Sequence, residues 1–188
     1  MHEAGAGDLV RAAAAGDGTA WEGLVRRYSG LVWSVARSRG LGRADAADVA
    51  QTTWLRLVEH LTTIRDPEAV GAWLATTARY ESLRVARKSG RMVPTELDEA
   101  DPADEDDVAA LGERLHAAEY GDALWQAFER LPPKCRALLR VLMADPPPSY
   151  HEAAAALGMP IGSLGPIRAR CLARLRQDPG LAGYQAGR

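Results

Sequence analysis

Membrane spans, a cysteine framework and catalytic signatures are all missing from this chain of 188 residues. No stretch approaches the ~18 uninterrupted apolar residues of a spanning helix, so no membrane insertion is expected. The two cysteines, Cys135 and Cys171, are too few for a disulfide framework and lack metal-ligand spacing. Both fall in apolar helical patterns and read as buried thiols. Aromatic residues make up only 6% of the chain, with a single phenylalanine, and β-branched runs are scarce, which favours helix over sheet. There is no Gly-rich phosphate loop, nucleophile elbow, HExxH or Cys/His cluster. His2, His60, His116 and His151 are scattered, and the densest run of acids lies in one segment poor in large apolar residues, a weak scaffold for paired acid–base work. No enzyme activity, cofactor or metal is therefore expected. The opening MHEAGAGDLVRAAAAGDG has neither a basic leader nor an apolar core, so no signal peptide is expected and the location is read as cytoplasmic.

What is present is unevenly spread. Hydrophobic content is 47%, enough for a core, and the net charge is only −2. Yet Glu96 to Asp107 holds eight acids and no base, Arg79 to Arg91 five bases and one acid, and Ile161 to Arg176 four arginines and no acid. Such segregation implies separate surfaces with separate partners.

The pattern is helical throughout. Asp8 to Ala15 is a short helix stopped by Gly16. Thr19-Ala-Trp-Glu22 has the form of a capping box opening a second helix, with Leu24, Tyr28, Leu31, Val32 and Val35 at helical spacing. After Gly40-Leu-Gly42, Asp45 is the expected cap of a third helix with Val49, Thr53 and Leu57 inward and Trp54, Val58 and Leu61 beside them. Its polar side (Asp45, Asp48, Gln51, Arg56) is a solvated face or an interface. Trp33, Trp54 and Trp73 read as core. Asp66-Pro67-Glu68 starts a fourth helix, running to about Ser89, with Asp as cap, Pro in the first position and Glu at the positive dipole end. Its basic end, Arg84, Arg87 and Lys88, is a charged terminus or a phosphate-binding face. Residues 91–110 read as a flexible acidic linker. The expected architecture is all-α: a helical domain over 1–90, a second over 111–177, and a tail over 178–188.

The second domain ends in a helix-turn-helix signature, SYHEAAAALGMPIGSLGPIRARCLARLR from Ser149 to Arg176. Ser149-Tyr-His-Glu152 is a capping box. Ala154 is small where two helices nearly touch, Gly158 tolerates the positive φ of the turn, and Leu164 returns to the core. Ser163, Arg168, Arg170 and Arg174 are candidate DNA contacts, some to phosphate and one or two to base edges. Gly165-Pro166 interrupts the presumed recognition helix, so either that helix is kinked or its regular part begins near Pro166.

These pieces, in this order, resemble the bacterial RNA polymerase sigma factors of the extracytoplasmic-function class, from about Leu9 to Gln177. DAADVAQTTWLRLVEHL is similar to region 2.2, AVGAWLATTARYESLRVARKSGR to regions 2.3 and 2.4, and the segment from Leu124 to Arg176 to region 4. The resemblance implies that Asp45, Asp48, Gln51 and Arg56 dock on the β′ clamp helices of core RNA polymerase, with further contact to the β subunit. It implies that Arg65, Arg79, Tyr80, Arg84, Arg87 and Lys88 meet the −10 element and its melted strand. Ser163, Arg168, Arg170 and Arg174 would then read the −35 element. An anti-sigma factor is an implied partner, and nucleoid association is implied for the holoenzyme. The chain departs from the family pattern at Tyr80, where many members carry Asn, and at Gly165-Pro166. Two rivals remain from the residues alone. An autonomous helix-turn-helix regulator predicts a dimer and a palindromic site. A sigma mimic that sequesters an inhibitor would not need the arginine-rich helix.

Overall fold

The computed structural model describes residues 4–88 and 119–181, with side chains omitted at 119–121. Every described element is helical, with no strand among these residues. The acidic linker and most of the tail lie outside the described residues. The first group comprises α1 (Ala6–Ala14), α2 (Gly18–Arg37), α3 (Arg43–His60) and α4 (Val70–Lys88), the last preceded by a 3-10 turn, Pro67–Ala69. The second comprises α5 (Glu119–Glu129), α6 (Pro133–Leu142), α7 (Tyr150–Leu157) and α8 (Ile161–Arg176), followed by a 3-10 turn, Pro179–Leu181.

The helix ends follow local chemistry, with two corrections to the expected caps. Asp17, not Thr19, caps α2: its carboxylate accepts from the amides of Thr19 and Ala20 at 2.8 and 3.2 Å. Asp45 does not cap α3, which begins two residues earlier behind Gly42, with no side-chain cap. Asp66 does accept from the Glu68 amide at 3.2 Å, ahead of Pro67 in the first helical position. The α7 capping box is complete, the Ser149 amide donating to Glu152 at 2.7 Å and the Glu152 amide to the Ser149 hydroxyl at 3.2 Å.

The core begins with Leu24, Leu31, Val32 and Val35 of α2, Val49 and Leu57 of α3, and Val70 and Leu74 of α4, all essentially sealed from solvent. It continues without a break into Leu138, Ala153 and Leu164 of the second group. The two groups therefore pack on one another, chiefly α7 against α4. Close backbone approach makes this fit. A methyl at Gly30 of α2 would overlap the carbonyl oxygen of Asp145 and lie 3.0 Å from its carbonyl carbon. A methyl at Gly71 of α4 would overlap the Glu152 carboxylate. Arg140 spans the same junction, donating to the Arg37 carbonyl at 3.1 Å.

Cys135 and Cys171 are not free thiols. They form a disulfide between α6 and α8, with Cα atoms 5.3 Å apart. The expectation of two buried thiols was right about burial and wrong about bonding. Helical periodicity places each residue inward, but only the crossing of α6 and α8 brings them together.

Candidate nucleic-acid and protein interfaces

Three surfaces gather the residues singled out by sequence. The first is the outer side of α3. At 100° per residue, Asp48, Gln51, Leu55 and Val58 fall within about 80° of one another, opposite the buried stripe of Ala46, Val49, Thr53 and Leu57. Asp48 and Gln51 are exposed. Leu55 and Val58 stand 56% and 55% exposed between them, large apolar side chains left to solvent on a helix that has a core face elsewhere. Such a mixed strip is suited to docking against a protein. Sequence reading set Val58 beside the core and overlooked Leu55; plotting the full wheel would have separated both from the buried stripe. Asp45 and Arg56 sit at the margin of this face. Arg56 is drawn toward α4, its Nε 2.8 Å from Glu81.

The second surface is the outer side of α4. Tyr80, Arg84 and Arg87 share a face within about 60°, and all three are exposed, as are Lys88 at the helix end and Arg65 before it. Tyr80 is 59% exposed, and the Arg79 guanidinium lies 4.6 Å from its ring centroid. An aromatic ring beside cations is the combination that stacks a base and holds its backbone. Arg84 is anchored by Glu81 at 2.7 Å. Glu81, with only 7% of its side chain exposed, thus binds an arginine on each of the first two surfaces. Nothing in the sequence singled out Glu81, because a lone acid in a basic run looks like surface until α3 is seen beside α4.

Arg79 differs from its neighbours. Its Nε is buried without a hydrogen-bond partner among the described residues. Its guanidinium presses against the α7–α8 turn, so near that a methyl on Gly158 would lie 2.7 Å from Nη1. There the carbonyl end of α7 favours a cation. Arg39 shares this edge; burial, with Arg79 nearby as a second cause, pulls its guanidinium below the usual arginine range.

The third surface is α8. Gly158 takes the left-handed conformation at φ 68°, and the amides of Gly158 and Met159 both donate to the Ala154 carbonyl, at 2.9 and 3.1 Å. The chain then turns into α8, which runs unbroken from Ile161 through Pro166 to Arg176. The regular helix therefore does not wait for Pro166. The proline falls in the second turn, where only one intrahelical amide bond is lost. Only Leu164 and Cys171 of α8 are fully buried. The outward strip is small: Gly162, Gly165, Pro166, Ala169 and Ala173, at positions i, i+3, i+4, i+7 and i+11. Arg170, Arg174 and the half-buried Ser163 line one flank and Arg168 the other, while Arg176 falls within the strip at the helix end. Arg168 also borders an apolar groove of about 450 Å³ between α2, α5, α6 and α8, lined by Trp33, Trp125, Phe128, Leu142, Met143 and Leu172. Exposed Ile161 opens the helix, a residue the sequence reading passed over.

Residues 24–92 match the sigma-70 region 2 family model. This stretch is similar to the sigma-70 region 2 family. It contains the α3 and α4 surfaces just described. Over 148 residues the chain is 28% identical to the ECF RNA polymerase sigma factor SigE of Mycolicibacterium smegmatis, covering 77% of this chain and 55% of that protein. The chain thus spans about half the length of that curated relative. By the region 2 match and this relative, the sequence is similar to the extracytoplasmic-function sigma factors. The fold is shared with CnrH, solved in complex with the cytosolic domain of CnrY, at a TM-score of 0.53 and 22% identity, over 97% of this chain and 99% of that one. Among the described residues no helix is long and apolar enough to cross a membrane.

Proposed function

We propose that this chain is a non-catalytic transcription initiation factor of the sigma type. It binds core RNA polymerase, directs it to promoters through a −10 and a −35 contact, and assists melting. The observation that carries this reading is a region 2 domain joined, in one chain, to a helix-turn-helix whose second helix has four arginines and no acid. Asp48 and Gln51, with Leu55 and Val58, form the polymerase-docking face on the β′ clamp helices. Tyr80, Arg84, Arg87 and Lys88 hold the melted −10 strand, Tyr80 by stacking and the cations by phosphate contact. On α8 the small strip lets the helix sit deep in the major groove, and the flanking arginines reach phosphates on either wall. Ile161 and Ala169 are placed to touch thymine methyls.

The packing of α7 on α4 supports a further part of this reading. Arg79 is covered by the helix-turn-helix, so the free protein offers an incomplete −10 surface and binds promoters weakly; polymerase separates the two domains and holds each on its element. An anti-sigma factor belongs to the same proposal, since CnrH is bound by a cytosolic protein domain, and the apolar groove between the domains is a surface on which such a partner could act. A cytoplasmic location, on the nucleoid while in holoenzyme, follows.

The test is reconstitution with core polymerase on genomic DNA, with transcript starts mapped. Initiation from a discrete promoter set sharing two spaced elements is expected. Failure to bind core polymerase, or tight sequence-specific binding of the isolated protein to a palindromic duplex, would overturn the reading in favour of an autonomous regulator.

A further inference from the structure

The Cys135–Cys171 bond lies in an unusual place. It is 36 residues long in sequence terms, and it pins α8, the helix assigned to DNA, onto α6. The hold on α8 is otherwise thin. Its inward stripe is Leu164, Ile167, Cys171 and Leu175, of which only Leu164 and Cys171 are fully buried. The cystine is therefore one of two sealed anchors and the only covalent one. A domain of this size has little core to spare, so a cross-link contributes a large share of its stability.

The two sulfurs are not equivalent. Cys171 is 1% exposed and Cys135 5%. Cys135 occupies the first turn of α6, behind Pro133, where helix N–H groups favour a thiolate. Lys134 beside it is exposed and adds positive charge.

We propose that Cys135 and Cys171 form a two-electron redox site whose oxidation fixes the recognition helix in its DNA-reading position. This inference rests on the sigma-factor reading for its functional consequence, but not for its chemistry. The oxidant class is a hydroperoxide. The Cys135 thiolate attacks one peroxide oxygen; the O–O bond breaks, leaving Cys135 as a sulfenic acid and releasing hydroxide, which takes up a proton to become water. The Cys171 thiol then attacks the Cys135 sulfur; the S–S bond forms, the S–O bond breaks, and the sulfenic oxygen leaves as a second water with the thiol proton. Two thiols and one hydrogen peroxide give one disulfide and two waters. In reverse, a dithiol supplies two electrons by exchange through a mixed disulfide. Because both sulfurs are covered, exchange proceeds through local opening of the end of α6 or of α8.

The experiment uses the full chain, fully reduced with dithiothreitol and then freed of it. Thiols are counted by alkylation in denaturant, before and after hydrogen peroxide. The count should fall from two to none, with monomeric mass retained. Amide exchange in α8 should be slower in the oxidised form, on the order of a hundredfold at its best-protected amides, and unchanged in α2. In the holoenzyme, transcription from a −35-dependent promoter should fall severalfold on reduction, while core-polymerase binding stays constant. A Cys135→Ala/Cys171→Ala variant should behave as the reduced protein under both conditions. Two thiols remaining after peroxide, equal α8 exchange in both redox states, or a double variant as active as the oxidised protein would each overturn the proposal. If the chain fails to bind polymerase, the sigma reading fails, and the thiol count and exchange data still decide the redox chemistry.

Discussion

Gly30 sits in the middle of α2, where glycine costs helix stability, and its replacement by alanine separates two opposed effects. Within α2 alone the change is favourable by about 1 kcal/mol, from intrinsic helix preference. Across the domain junction it is unfavourable. The new methyl would overlap the Asp145 carbonyl oxygen and sit 3.0 and 3.2 Å from the carbonyl carbon and amide nitrogen of the same residue. These are backbone atoms and cannot swing aside as a side chain would. Forced overpacking of this kind costs about 1–3 kcal/mol. Because the penalty exists only while the domains are packed, the ratio of separated to packed molecules should rise about 5- to 150-fold. The measurement is small-angle scattering of the free protein, together with the distance between labels on α3 and α8. Gly18→Ala is the control: it lies in the same helix, with nothing within 4 Å of the added methyl. Gly30→Ala should expand the free protein and strengthen its weak promoter binding as Arg79 is uncovered; Gly18→Ala should do neither. An expanded molecule with unimproved promoter binding would mean that Arg79 is not withheld DNA surface. A Gly30→Ala protein as compact as the parent and merely more stable would refute the packing argument itself.

Other outcomes follow from the remaining surfaces. Arg170→Ala should weaken holoenzyme binding by a similar factor on all promoter sequences and reduce its salt dependence, as for a phosphate contact; a loss of about 1–3 kcal/mol confined to one base position would instead mark a bidentate base contact. Replacing Asp48 and Gln51 together by alanine should lower core-polymerase affinity without changing promoter preference, and Leu55→Ser should act in the same direction; unchanged affinity measured by competition would refute the docking face. Arg130 donates to Asp178 through Nε and Nη2 at 3.0 and 2.6 Å, which holds the Asp178 carboxyl below its ordinary range. A carboxylate depressed in the folded state stabilises above the ordinary carboxylate range and loses that contribution as pH falls through its lowered value. The Pro179–Leu181 turn should therefore loosen only in acid, visible as faster exchange of the Gly180 amide, and Asp178→Asn should abolish this dependence.

Much of the fold was legible because the decisive signals are local. The Ser149/Glu152 box, Ala154, Gly158 and Leu164 specify a turn within sixteen residues, and each falls where the spacing required. Asp66-Pro67-Glu68 is equally self-contained. Thr19 and Asp45 failed as caps because several acceptors compete at a helix start, and the winner is chosen by backbone geometry that residue type does not encode. What sequence could not reveal depends on contacts between distant segments. Gly30 and Gly71 look like defects in two helices until Asp145 and Glu152 are laid against them. Cys135 and Cys171 each read as inward without revealing their pairing. The proline obscured where α8 begins; with the helix continuous, Arg170 and Arg174 fall on one flank, Arg168 on the other and Arg176 between them on the outward side.

Glu81 has a consequence that goes beyond its ion pairs. One shielded carboxylate is the counter-charge of Arg56 on the side assigned to polymerase and of Arg84 on the side assigned to DNA. If either arginine is recruited by its external partner, Glu81 is left with a single cation and holds it more tightly. The two surfaces are then antagonistic at this point, and thermodynamic reciprocity requires the effect to be equal in both directions. A factor built in this way would release one partner more readily once the other is secured, with the exchange decided by a residue that touches neither.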